Sequence, residues 1–372
     1  MTTISKSVVN RRSEPVFDFV LVLATVTVAL IGVVMVYTAT RGTLLAEGED
    51  PHSYVKKQAL FVVLGVIAMV IVAVFDYRRL EPLATPIYVL SVLSLLGVLA
   101  VGSHVQGSER WFSLGPIEIQ PSEFAVVGLI LVVAAYCDRR EEEGLAWIDV
   151  FKLLILSGIP IGLVLIQPDL GTALTYLPIA LMGLFLGGLH WKQASIVVLL
   201  AALCMPLAWH HLKDYQKARL TSFMEPDADP QGSGYQVTQS LIAVGSGGIF
   251  GGKGSQTHGA FLPVPQTDFI FAAFAEEHGF VGALGVLLLY FIVLMRLTQN
   301  AQTAPDRAGT FVVMGVVAVL SFHILVNVGM VVGFMPVTGI PLPLMSYGGS
   351  SVLFMFLALG MVMNVRMRRF VN

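Results

Sequence analysis

The chain has 372 residues, 56% of them hydrophobic and only 12% charged, and a mean hydropathy of +0.79. That composition excludes an ordinary soluble domain, in which about a quarter of residues are charged. The formal net charge of -2 carries no message of its own, and two cysteines, Cys137 and Cys204, imply neither a disulfide framework nor a zinc site.

The N-terminal segment 1–15 is polar and basic, and reads as a cytoplasmic segment. The apolar run that follows, 16–38, is too long for a signal-peptide core and reads as a retained first span. Nine more apolar segments follow at 58–75, 83–102, 121–137, 150–167, 170–189, 194–210, 269–297, 309–334 and 350–366. Each approaches the roughly 20 apolar residues that a bilayer requires. The pattern predicts an all-α polytopic membrane protein of about ten transmembrane helices, forming a single integral-membrane domain over 1–372. The fifth and sixth segments are parted only by "QPDLG", the fourth is short, and the seventh contains Pro206. Most Lys and Arg of the short loops fall on the side of the N-terminus, Arg78, Arg79, Arg366 and Arg368 among them. This bias predicts N-in, C-in topology.

Residues 211–267 then form one large extracytoplasmic loop, and a connection of that length is functional or disordered. Its stretch "YQVTQSLIAVGSGGIFGGKGS" is half apolar and rich in glycine. We expect backbone packed on the membrane surface, with short amphipathic helices near 214–224 and 235–246. Gly247, Gly252 and Lys253 imitate a phosphate-binding loop, but Gly254 stands where Ser or Thr is required, so this is not an ATP site.

Charges in or beside a span are costly and point to function or pairing. Glu123, Asp169, Arg110, Arg219, Lys253 and Asp268 all fall on the outward face of the expected topology. Each also has a plainer reading. Asp268 and Asp169 suit helix N-caps, Glu123 suits a first helical turn, Arg110 beside Trp111 suits an interface anchor, and Arg219 and Lys253 suit solvated loop charges. Glu276 and Glu277 lie about 12 Å deeper, where His323 and Asn327 are candidate partners for Glu276. The residues alone do not separate an enzyme from a transporter.

Six motifs decide further: "RWFSLG", "QPSE", "QPDLGT", "GYQVTQSLIAVGSGGIFGGKG", "FLP…TDFIFA…AEEHG" and "PVTGIPLPLMSYGGSS". In this order they resemble the SEDS family (shape, elongation, division, sporulation), and its RodA elongation branch more than its FtsW division branch. The resemblance implies peptidoglycan glycosyltransfer. Lipid II units are polymerised into β-1,4 glycan strands outside the bacterial cytoplasmic membrane, with inversion at the donor and release of undecaprenyl pyrophosphate. It implies Asp268 as the catalytic residue. Arg110, Arg219 and Lys253 become candidates to neutralise the diphosphate, with Glu123 and Asp169 orienting them. Asp268, Glu123 and Asp169 are candidate ligands of a divalent metal, Mg or Mn; no organic cofactor is expected. "PLPLMSYGGSS", with Ser346 and Tyr347, is expected to line the substrate cavity. The implied partners are a class B penicillin-binding protein, elongation-complex components and membrane lipid, with no nucleic acid. Phe124, Ala125 and Val126 after "QPSE", and Val264, Pro265 and Gln266 before "TDF", depart from the common pattern. A lipid II flippase and a non-catalytic scaffold for the penicillin-binding protein remain the alternative readings.

Overall fold

The computed structural model describes residues 17–105, 108–114, 117–140, 144–225, 232–252 and 262–369. The expected N-terminal segment 1–15 and Lys253 lie outside the described residues.

In chain order the helices are α1 (Phe19–Glu47), α2 (Ser53–Val74), α3 (Ala84–Val101), α4 (Pro121–Asp138), α5 (Trp147–Ile166), α6 (Leu170–Thr175), α7 (Leu177–Leu186), α8 (Trp191–His211), α9 (Asp214–Met224), α10 (Ser233–Ser246), α11 (Ile270–Gln302), α12 (Arg307–Val331) and α13 (Gly349–Met367). All ten apolar segments are therefore helical. Seven of the helices (α1, α2, α4, α5, α11, α12 and α13) are long and apolar enough to cross a membrane, so the chain is a multi-pass membrane protein. The other three apolar segments fold as shorter helices. The sixth is split into α6 and α7, where Pro178 opens α7 without an amide to continue the preceding ladder. Both helices expected in the long loop are present, as α9 and α10.

A three-stranded antiparallel sheet between α3 and α4 was not anticipated. Its strands are β1 (Ser103–Val105), β2 (Ser108–Leu114) and β3 (Ile117–Ile119), paired in the order β1-β2-β3.

Helices α4 and α13 are mostly buried and α12 more than half so, whereas α2, α5 and α11 turn most of their apolar surface outward. On α11 the exposed Phe280, Leu284, Leu288 and Phe291 recur at three- and four-residue spacing, one stripe facing lipid. Helix α13 packs along α2, and α12 sits against α4, α7, α11 and α13.

Buried polar groups tie the helix ends together. At the start of α1, Asp18 caps the helix by accepting from the Leu21 amide at 3.1 Å. It also accepts from Arg296 at 2.8 Å and Asn300 at 3.1 Å, both on α11, and lies 3.8 Å from Arg366 on α13.

Helix α11 is two helices in series. Gly279 has φ 67° and ψ -168°, a conformation open only to glycine, and it breaks the ladder. The amides of Phe280 and Val281 donate instead to the carbonyls of Gly248 and Ile249, at 2.9 and 3.1 Å, and the Gly252 amide donates back to the Glu276 carbonyl at 2.8 Å. Inside a bilayer such a break survives only when another segment satisfies the freed groups. The glycine-rich loop does so here. A Cβ at Gly247 or Gly251 would collide with the carbonyls of Ala275 or Glu277.

Candidate active site

One polar cavity of about 430 Å³ opens at the starts of α4, α6, α11 and α13, beside the middle of α9. Six of the eight expected site residues line it: Arg110 from β2, Glu123 from the first turn of α4, Asp169 at the start of α6, Arg219 from α9, Asp268 just before α11, and Tyr347 just before α13. Ser346 does not. Its hydroxyl is buried as a strut, donating to the Thr267 carbonyl at 2.6 Å and accepting from the Leu342 amide at 2.8 Å.

Asp268 is not a helix cap. Phe269 occupies the cap position of α11, and no side chain caps that end. The half-buried Asp268 carboxylate faces the cavity, and its backbone carbonyl accepts from Asn327 Nδ2 at 2.9 Å. Burial pushes the carboxyl above its usual range; Arg219 pulls it down, and the charge of Asp169 adds to the rise. Arg219 Nη1 is itself held by the Thr338 carbonyl at 3.0 Å. A Cβ on Gly339 would lie 3.6 Å from both Arg219 Nη1 and Asp268 Oδ2, so the cation and carboxylate flank the same glycine.

Asp169 is an N-cap and more. It accepts from the Thr172 amide at 3.0 Å, the Thr172 hydroxyl at 2.9 Å and Gln120 Nε2 at 3.1 Å, and pairs with Arg110 Nη1 at 3.2 Å. Arg110 also donates through Nε to the Gln167 carbonyl at 2.9 Å and through Nη2 to the Pro168 carbonyl at 2.5 Å. Every nitrogen of this guanidinium is engaged with the 167–169 turn. Arg110 is thus a clamp on that turn more than a membrane-interface anchor, and it still lines the cavity with the N–H donors these contacts leave over. Glu123 Oε2 is buried with no hydrogen-bond partner among the described residues.

The expected metal site does not form. Asp268, Glu123 and Asp169 line one cavity, yet among the described residues no three His, Cys, Asp or Glu side chains are grouped to hold a metal ion. Asp169 is already committed to Arg110, Gln120 and Thr172. His323 and Asn327 do not serve Glu276 either: His323 Nδ1 meets the Pro341 carbonyl at 3.4 Å, and Asn327 donates to the carbonyls of Asp268 and Ile340. They hold the 338–341 segment against the cavity.

Gln120, Thr172, Thr338 and Ser351 also line the cavity; sequence reasoning singled out none of them, although Ser351 closes the "PLPLMSYGGSS" stretch expected to line it. The signal available was position: Gln120 opens "QPSE", Thr172 closes "QPDLGT", and Thr338 and Ser351 sit within the last motif.

Comparison with known proteins fits this geometry. A family model described as cell cycle protein, covering FtsW, RodA and SpoVE, matches residues 19–370. Peptidoglycan glycosyltransferase MrdB of Escherichia coli (strain K12) is 38% identical over 318 residues, 83% of this chain and 84% of that protein. A chain from a peptidoglycan synthase complex, described for the structural coordination of polymerization and crosslinking, aligns with a TM-score of 0.81 at 36% identity, covering 96% of this chain and 99% of its own. The crystal structure of the Thermus thermophilus rod shape determining protein RodA aligns with a TM-score of 0.71 at 31% identity, over 96% of this chain and 98% of that one. With the family model and relatives of this identity both spanning most of its length, the chain belongs to the FtsW/RodA/SpoVE family.

Proposed function

We propose that this chain is a peptidoglycan glycosyltransferase that polymerises lipid II, with Asp268 as its general base. The observation that carries the reading is the Asp268 carboxylate, set at the mouth of a long apolar helix and facing a polar cavity beside Arg219. A lipid-anchored substrate presents its sugar at that depth. The acceptor's 4-hydroxyl gives its proton to the Asp268 carboxylate as its oxygen attacks C1 of the donor. The C1–O bond to the diphosphate breaks, and its electron pair leaves on the diphosphate oxygen. One displacement converts the α-linked donor into a β-linked product, so no covalent glycosyl-enzyme is needed. Arg219 faces the departing charge, which is electrostatic stabilisation of the transition state. A carboxyl raised above its ordinary range is a better-matched base near neutral pH than a solvated one.

The same reading places the cavity on the extracytoplasmic side of the bacterial cytoplasmic membrane, with both termini in the cytoplasm. It takes a class B penicillin-binding protein and elongation-complex components as partners. The relative from a peptidoglycan synthase complex supports a crosslinking partner. The flippase reading needs two-sided access, and the six polar side chains gather at a single cavity.

The test is glycan-strand formation from purified lipid II in liposomes by wild type, Asp268→Ala and Asp268→Asn, with and without a transpeptidase-inactive partner. Strands from wild type and none from the folded variants are expected. Equal strands from all three would remove Asp268 as base. No strands from any, with the partner present, would restore the flippase and scaffold readings.

A further inference from the structure

Helix α13 begins at the cavity wall. Gly348 is its N-cap and offers no side-chain cap. The Gly348 amide is held by Gln58 Oε1 at 3.3 Å, and its carbonyl accepts the first helical bond, from Val352, at 3.0 Å. The amides of Gly349, Ser350 and Ser351 are the ones no helix can satisfy internally. Gly348 and Ser351 both line the cavity.

The two serines behave differently. Ser350 is turned into the protein, where its hydroxyl accepts from the Gln120 amide at 3.0 Å and donates to the Glu118 carbonyl at 3.1 Å. Ser351 is only 6% exposed and lines the cavity, yet its hydroxyl makes no hydrogen bond among the described residues. The residue is buried but lines the cavity, so its hydroxyl is left to whatever fills that space. A Cβ on Gly348 would come to 3.4 Å of Ser351 Cβ, so the two residues adjoin at the cavity wall. At the other end of α13, Arg366 is in the last turn and Arg368 is the C-cap. The positive end of the helix dipole therefore points at the cavity that Arg219 also lines.

We propose that the first turn of α13, with the Ser351 hydroxyl, is the seat of the donor's diphosphate. The inference rests on the transferase reading for its ligand and extends it to a subsite. At a helix start, the amide and hydroxyl of Ser351 make a neutral anion cradle, and Arg219 supplies the cation. When the C1–O bond breaks, the diphosphate gains a negative charge facing donors already in place. The chemistry recognised is a diphosphate, lipid-linked or free.

The experiment is calorimetric titration of the full-length chain in detergent with inorganic pyrophosphate, and with sulfate at matched ionic strength. Wild type, Ser351→Ala and Ser351→Thr are compared, and a thermal melt confirms that each is folded. A farnesyl diphosphate arm distinguishes lipid-linked from free diphosphate. Saturable pyrophosphate binding is expected, at least tenfold weaker in Ser351→Ala and retained in Ser351→Thr, with no equivalent sulfate binding. Tighter farnesyl diphosphate binding with the same Ser351 dependence assigns the seat to the lipid-linked form. Equal affinity in wild type and Ser351→Ala, or no saturable binding by wild type, overturns the inference. The outcome is separable from the transferase reading: strands formed with Ser351-independent binding remove this seat alone, and Ser351-dependent binding without strands removes the transferase alone.

Discussion

Asn327 holds the backbone of Asp268. Its Nδ2 donates to the Asp268 carbonyl at 2.9 Å and to the Ile340 carbonyl at 2.9 Å, tying the carboxylate's own residue to the segment behind the cavity. Neither bond touches substrate, so Asn327 is a positioning residue. Asn327→Ala removes both and leaves two buried carbonyls short of a donor, a destabilisation of about 1–3 kcal/mol. We expect kcat to fall roughly tenfold to a hundredfold with KM nearly unchanged, since misplacement of a reacting group by about 1 Å costs on that order. Steady-state kinetics on lipid II, beside a thermal melt, check both halves.

With Asp268 as the proposed base, the reaction is expected to show an acid limb. Burial raises its carboxyl above the ordinary value, and Arg219 opposes that rise. The base acts only when ionised, so the rate falls as pH drops through the raised pKa. Arg219→Ala removes the opposing charge, and the acid limb of kcat/KM moves to higher pH; Arg219→Lys keeps it near the wild-type position. A pH–rate profile that is identical in all three would show that Arg219 does not act on the base.

Asp18 is a stability determinant far from the chemistry. Burial by itself would raise its carboxyl, but hydrogen bonds from Arg296, the Leu21 amide and Asn300 outweigh it and hold the carboxyl below its ordinary value. A group with a lowered folded pKa stabilises above its unfolded pKa and loses that contribution as pH falls through the folded one. Stability should therefore decline below about pH 4. Asp18→Ala leaves Arg296 and Arg366 facing a vacated site, a loss of about 3–5 kcal/mol. Denaturation in detergent at neutral pH measures it, and Asp18→Asn should lose less because Asn300 and the cap amide keep an acceptor.

Gly279 tests the break in α11. A side chain there is strained at φ 67° and would collide with the Gly251 amide. Gly279→Ala should lower stability by at least about 1–3 kcal/mol. Hydrogen exchange at the Phe280 and Val281 amides should rise markedly, since both rely on the loop for their acceptors.

The helices were legible in the sequence because apolar length is a direct physical requirement of a lipid environment. Even α9 and α10 were anticipated from the half-apolar character of the long loop. The sheet at 103–119 was not. Its strands are three and seven residues long, and Arg110 and Trp111 read as readily as interface residues. Asp268 was legible as a carboxylate at the edge of an apolar run. The roles of the neutral partners were not: Asn327 stood out only as a partner for Glu276, Ser351 only as part of a lining motif and Thr338 not at all, because without a charge only three-dimensional proximity assigns them. Arg110 shows the converse. Its charge marked it correctly as a cavity residue, but only the coordinates reveal that its nitrogens are already engaged.

The discontinuity at Gly279 has a mechanical consequence. The first piece of α11, Ile270–His278, carries Asp268 just beyond one end and is stitched by backbone to residues 247–252 at the other. The second piece, Phe280–Gln302, packs against α1 and turns an exposed apolar stripe outward. The helix piece beside the carboxylate is thus held by the glycine-rich loop at its far end and by Asn327 of α12 at Asp268 itself, and not by continuity with the long membrane rod. A load applied to α10 has a short, hydrogen-bonded lever to the reacting atoms, whereas the same load on the membrane rod meets a joint.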